Sequence, residues 1–123
     1  TGYHLYSVPT DVLRGEVNEE LVEEKVSNMG VTPAPDGMIF DKNGNLYMAD
    51  LERNAVSYRT PNGDMKILIQ DERIKWPDTF AIDLDNNLIF TDSLLQDTPI
   101  GEPVDDMTFS IYKVRLPTDR TEI

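Results

Sequence analysis

Apolar and polar positions alternate over short stretches along most of this chain, and one such arrangement is written twice. Residues 35–50 read PDGMIFDKNGNLYMAD and residues 77–92 read PDTFAIDLDNNLIFTD, with every matched position 42 residues apart. Pro35/Pro77, Asp36/Asp78, Asp41/Asp83, Asn45/Asn87, Leu46/Leu88 and Asp50/Asp92 are identical, and Phe40/Ile82 and Tyr47/Ile89 are apolar in both copies. Alternation with period two marks strands with one covered face. Strand-sized pieces that recur about every 40 residues mark the blades of a β-propeller. The predicted fold is therefore all-β: a partial β-propeller of about two to three blades of antiparallel sheet.

The pattern divides the chain further. Residues 31–72 read as a complete blade, with strands at Gly37–Asp41, Asn45–Ala49, Ala55–Arg59 and Met65–Ile69. Lys42-Asn43-Gly44 and Pro61-Asn62-Gly63-Asp64 are its turns, because Asn and Gly tolerate positive φ. Residues 79–83 and 87–92 repeat the first hairpin, so 73–123 read as the following blade. Tyr3–Val8, Ala55–Arg59 and Ser110–Arg115 look like one blade strand in three successive blades. Residues 17–29 depart from this alternation: Val17, Leu21, Val22, Val26 and Met29 recur at helical spacing with acids between them. The spacing predicts one short amphipathic helix, with Asn18 as N-cap and Gly30 as stop. It would replace or cover an outer strand, so that 1–30 complete a preceding blade. Residues 94–108 form a long connection rich in Pro and acids, without a counterpart of that length in the first copy, and are a candidate partner-binding rim.

The 123 residues supply about three blade lengths, whereas propellers close with roughly four to eight. An open array leaves strand edges bare. The expected partner is thus the remainder of the same propeller or further copies in a homo-oligomer. The charge balance, 23 Asp and Glu against 11 Lys and Arg for a net charge of −12, argues against nucleic acid or an anionic membrane as partner. It suits a cation, an amine or a well-solvated surface. Without cysteine there are no disulfides and no thiol chemistry. No apolar run approaches the roughly 18 residues a membrane span needs. His4 is the only histidine, which excludes a histidine metal cluster or a Ser-His triad within these residues.

Candidate chemistry centres on the blade openings. Asp36 and Asp78 each precede an innermost strand, and such strands surround the propeller axis, so the two carboxylates converge on one mouth of the channel. Carboxylates brought together there bind a hard cation or shift each other's pKa. The alternative is that each Asp caps its own turn. Trp76, the only tryptophan, either walls a ligand pocket or packs between blades. Asp41-Lys42-Asn43-Gly44-Asn45 imitates a calcium loop, but Leu46 stands where that loop needs its glycine, and the turn reading is preferred. Ser93 reads as structural.

At these residues the chain resembles the six-bladed propellers of the gluconolactonase and senescence-marker-protein superfamily. The Pro-Asp-Gly-x-x-x-Asp-x-x-Gly-Asn-Leu-Tyr-x-Ala-Asp stretch at 35–50 carries that likeness. Within the superfamily it is most similar to the C-terminal part of yellow and major royal jelly proteins. The order Tyr6–Thr10, Val12-Leu13, Asp36-Gly37, Asn54–Val56, Lys75–Thr79 and Phe109–Leu116 supports this. The resemblance implies a channel site holding a divalent cation (Ca²⁺, Mg²⁺, Mn²⁺ or Zn²⁺). Asp36 is the one residue that the resemblance carries over, as a metal ligand and general base; Asp78, followed by Thr79 where the pattern has Gly, is a candidate ligand by its position alone. The family's Glu and Asn ligands would lie in blades that these residues do not include. The resemblance implies either a metal-dependent lactonase-like hydrolase or dopachrome-isomerase-like enzyme, or a propeller that binds a small amine or aromatic molecule at Trp76 and Asp78 without catalysis. A third reading is an interaction scaffold. A secreted or periplasmic location follows from the same resemblance.

Overall fold

The computed structural model describes residues 2–15, 18–97 and 108–118. Its strands are β1 (His4–Ser7), β2 (Ser27–Val31), β3 (Met38–Phe40), β4 (Leu46–Asp50), β5 (Ala55–Arg59), β6 (Met65–Gln70), β7 (Pro77–Ile82), β8 (Asn87–Asp92) and β9 (Ser110–Arg115). They pair only with their neighbours in sequence, always antiparallel, in three sheets: β1-β2, β3-β4-β5-β6 and β7-β8-β9. The fold is all-β and propeller-like, as the double repeat predicts.

Two turns explain much of the repeat. After β3 the Asp41 carboxylate accepts from the backbone N–H of Asn43 (2.8 Å) and of Asn45 (2.9 Å) and from the Asn45 side-chain amide (2.9 Å). Asp83 does the same after β7 for Asp85 and Asn87. The short Asp side chain closes the turn by satisfying donors that the ladder leaves free. Gly44 (φ 83°) and Asn86 (φ 63°) hold the left-handed position between them. The identity of Asp41/Asp83 and Asn45/Asn87 is thus a requirement of the hairpin.

The core lies between the middle and third sheets. Tyr47 and Val56 from the middle sheet, fully buried, pack on Leu88 and Phe90 from the third, with Ile74 and Leu116 closing the ends. Tyr47 stacks on Tyr58 with ring centroids 5.1 Å apart, and Phe90 tilts against Phe80 (5.8 Å) and Tyr112 (5.4 Å). Each such side chain contributes about 1.5–3 kcal/mol by leaving water. Gly37 makes the close approach possible: a Cβ there would overlap the carbonyl of Asp78 on β7. The opposite face of the third sheet has no such cover among the described residues. Ile111, which pairs with Thr91 as Val56 pairs with Ala49, is 74 % exposed.

The first sheet matches the outer half of the middle one. The N–H of Thr32 donates to the carbonyl of Tyr3 (2.9 Å), as that of Asp71 donates to Asn54 (3.0 Å). In both pairs the register then slips by one extra residue on the outer strand: between His4 and Tyr6 opposite β2, and between Val56 and Ser57 opposite β6. So β1 corresponds to β5 and β2 to β6.

The predicted short helix near residues 17–29 is present, with a smaller extent. Val17 lies outside the described residues, and the helix, α2, covers Glu19–Lys25. Asn18 does cap it, accepting from the N–H of Glu20 (3.1 Å). A further helix, α1, spans Thr10–Arg14, with Pro9 before it, Asp11 in its first turn and Arg14 in its last. Residues 27–31 are strand β2, so the helices lie in the β1–β2 connection and the outer strand is present. Gly30 stands inside β2 at φ 100°, near the register slip, and stops no helix. Val26 is the helix C-cap, and from Ser27 onwards ladder pairing with β1 outweighs the helical spacing of Met29.

Candidate functional site

The residues singled out from the blade openings lie in the segments that lead into β3 and β7. Asp92, 2 % exposed at the end of β8, fixes the second of these segments. Its two carboxylate oxygens accept from the backbone N–H of Lys75 and of Trp76, both at 2.7 Å. The N–H of Ser93 donates in turn to the carbonyl of Trp76 (3.0 Å). A buried carboxylate that receives two charge-assisted hydrogen bonds is a rigid anchor. It holds Trp76 immediately ahead of the buried Pro77.

From this anchor the half-buried Trp76 indole reaches across to the neighbouring sheet. Its Nε1–H donates to Asp36 Oδ2 at 2.7 Å. The two openings are therefore coupled by a side-chain bond between residues 40 apart in sequence. Asp36 is exposed, and its other carboxylate oxygen has no partner among the described residues. Asp78 is half-buried, and its backbone, pressed on Gly37, brings the two segments together. Asp36 also borders an open cleft of about 480 Å³ whose other walls include His4, Tyr6, Met38 and Met48. This cleft lies between β1 and the inner strands of the middle sheet.

The arrangement offers a carboxylate with free lone pairs, an aromatic ring beside it and a second acid on the adjacent segment. Such a group can accept hydrogen bonds from an ammonium ion and present a π face to it. Among the described residues no three His, Cys, Asp or Glu side chains stand close enough to hold a metal ion.

Asp50 and Asp92 are buried anchoring positions that motif reading passes over. Asp50 is 2 % exposed and accepts from the Ser57 hydroxyl (2.7 Å) and the Arg53 guanidinium (3.3 Å). Their signal in the sequence is identity in both copies at the end of an apolar run, a place where burial is expected. The Ser93 hydroxyl is buried without a hydrogen-bond partner among the described residues. The 94–108 rim falls largely outside the described residues.

Perturbed carboxylates lie away from this mouth. Burial pushes the Asp41 carboxyl up, but hydrogen bonds from Asn45, Asn43 and Tyr47 outweigh it and hold the pKa below its ordinary 3.8. Asn87, through side chain and backbone, and then Lys113 hold Asp83 well below the same value. Arg73 does so for Asp71. No helix among the described residues is long and apolar enough to cross a membrane. No protein-family model matches this chain, and no curated protein matches it.

Proposed function

We propose that this chain is part of a propeller of the yellow and gluconolactonase type, and that Asp36, Trp76 and Asp78 bind a small aromatic amine at the channel mouth. The observation that carries this reading is the 2.7 Å bond from the Trp76 indole to Asp36. It orients the carboxylate beside the ring and leaves one oxygen for the ligand's ammonium group. The net charge of −12 favours the approach of a cation. Divalent metal chemistry at this mouth would need donors beyond Asp36 and Asp78, and the hydrolase or isomerase reading depends on them. With such a set in place, the cation would polarise a carbonyl and lower the pKa of bound water.

Because Trp76 is the only tryptophan, its fluorescence reports on the mouth alone. Titration with phenethylamine is expected to give a saturable change, and phenylacetate to give none. Asp36→Asn keeps an acceptor for the indole and removes the charge, and should weaken amine binding about tenfold, the loss of one charge-assisted contact. A response to Ca²⁺, Mg²⁺, Mn²⁺ or Zn²⁺ without one to the amine would replace this reading with a metal site. Silence towards both would refute it.

A further inference from the structure

Asp50 and Asp92 end the second strand of their hairpins, and both are 2 % exposed, yet their surroundings differ. Ahead of the third sheet five residues, 72–76, link Asp71 to Pro77, and Asn54 holds them by donating its side-chain amide to the carbonyl of Ile74 (2.7 Å). That link brings the N–H groups of Lys75 and Trp76 to the two oxygens of Asp92. Ahead of the middle sheet the counterparts of Asp71 and Pro77 are Thr32 and Pro35, with only two residues, 33–34, between them. Pro33 has no N–H, and that of Ala34 does not donate to Asp50. Tyr3, in the place of Asn54, sends its hydroxyl across to Glu52 Oε1 (2.6 Å) instead. The shorter link leaves a cavity of about 260 Å³, bordered by Tyr3, Thr32 and Pro33 on one side and by Asp50, Glu52 and Arg53 on the other.

Within this cavity Asp50 is half satisfied. Its Oδ2 accepts from both the Ser57 hydroxyl (2.7 Å) and the Arg53 guanidinium (3.3 Å), and its Oδ1 has no partner among the described residues. A carboxylate oxygen on so buried a side chain calls for a donor. We infer that the cavity binds a small primary alkylammonium ion, whose N–H groups do for Asp50 what the longer link does for Asp92. Glu52 Oε2, which also lacks a partner among the described residues, is the second acceptor. Charge sets the valence. Asp50 and Glu52 against Arg53 leave one negative charge, which suits a monovalent ion, and a guanidinium 3.3 Å from Asp50 repels a divalent metal. An ammonium group brings its three donors to two acceptors, whereas a hard metal ion needs roughly six oxygens. The alkyl part lies along Pro33 and Met65. The site is made by residues on both sides of an interface within the chain, and it does not depend on what the Asp36 mouth binds.

The test uses the whole chain, labelled for amide resonances and titrated with n-propylammonium chloride against potassium chloride at equal ionic strength. Saturable shifts are expected at Thr32, Glu52 and Arg53 below about 20 mM, with none from propionate. Tetramethylammonium, which has the charge but no N–H, should bind at least about tenfold more weakly. Asp50→Asn keeps an acceptor for Ser57 and removes the charge, and should also weaken binding at least about tenfold. Met65→Lys changes an exposed side chain at the cavity wall and supplies an ammonium from the chain itself. It should abolish the shifts and raise the urea midpoint, and it decides the matter even where Asp50→Asn fails to fold. Absence of saturation up to about 20 mM would overturn the inference. An equal response to tetramethylammonium or to K⁺ would do so too, as would undiminished binding by Met65→Lys. Shifts confined to the Trp76 indole N–H would overturn this site and leave the reading of the mouth standing. Saturation at Thr32, Glu52 and Arg53 with a silent indole would uphold it whatever the mouth binds.

Discussion

Replacing Asp92 with alanine should cost about 3 kcal/mol in urea unfolding, because two backbone N–H groups in a part-buried segment lose their acceptor together. The same change should shift Trp76 emission towards that of a solvated indole, since the segment carrying the indole loses its anchor. Asp41, Asp71 and Asp83 set the acid limit. Each carboxyl has a folded pKa below its ordinary 3.8, so each favours the folded state when ionised. That stability is fully present above pH 3.8 and is lost as pH falls below it towards the folded values. Urea midpoints recorded from about pH 6 to about pH 2.5 should therefore be flat at first and then decline. Asp83→Asn should flatten part of the decline. The identical residues of the repeat were legible as turn chemistry for this reason: Asp at the turn's start and Asn at its end are local requirements. The reach of Trp76 to Asp36 was not legible, because it depends on how two segments 40 residues apart approach each other.

Strands were more legible than helices. The alternation located β3 through β9 to within a few residues, since each has one face to cover and a turn at its end. Residues 17–29 carried two patterns at once. Met29 suits a helix face by spacing, yet its segment is held by β1, a partner about twenty residues away in sequence. Periodicity within a window cannot register that competition. Equivalent positions also differ in ways that only stacking decides. Val56 and Ile111 hold the same place in their sheets, one fully buried and the other 74 % exposed. Val56→Ala should accordingly cost roughly 2 kcal/mol through the cavity it leaves. Ile111→Lys should change stability by less than about 0.5 kcal/mol. Equal effects from the two substitutions would mean that the third sheet has cover on both faces.

Across the whole molecule the balance of bare and covered surface is uneven. The middle sheet is sealed on the side of the third, and on its other face the innermost strand, β3, leaves Met38 and Phe40 exposed. Ile111 and Phe109 at one end, and Phe40 and Met38 at the other, are apolar side chains positioned where further blades would stack. That β1 is the counterpart of β5 was readable from the strand composition of Tyr3–Val8. That β2 is the counterpart of β6 was not, because two helices separate it from β1 and its kinship shows in hydrogen bonding and register.

The pairing of every strand with its sequence neighbour also governs the order in which the molecule forms. Hairpin contacts close short loops, so each sheet gains its ladder before any distant segment has to be found. The docking of the third sheet on the middle one is then the late and slow event, and it joins surfaces already shaped. Until it occurs, Tyr47, Val56, Leu88 and Phe90 stand in water together. The chain is then most open to capture by the wrong neighbour, and the net charge of −12 holds such neighbours apart during that interval.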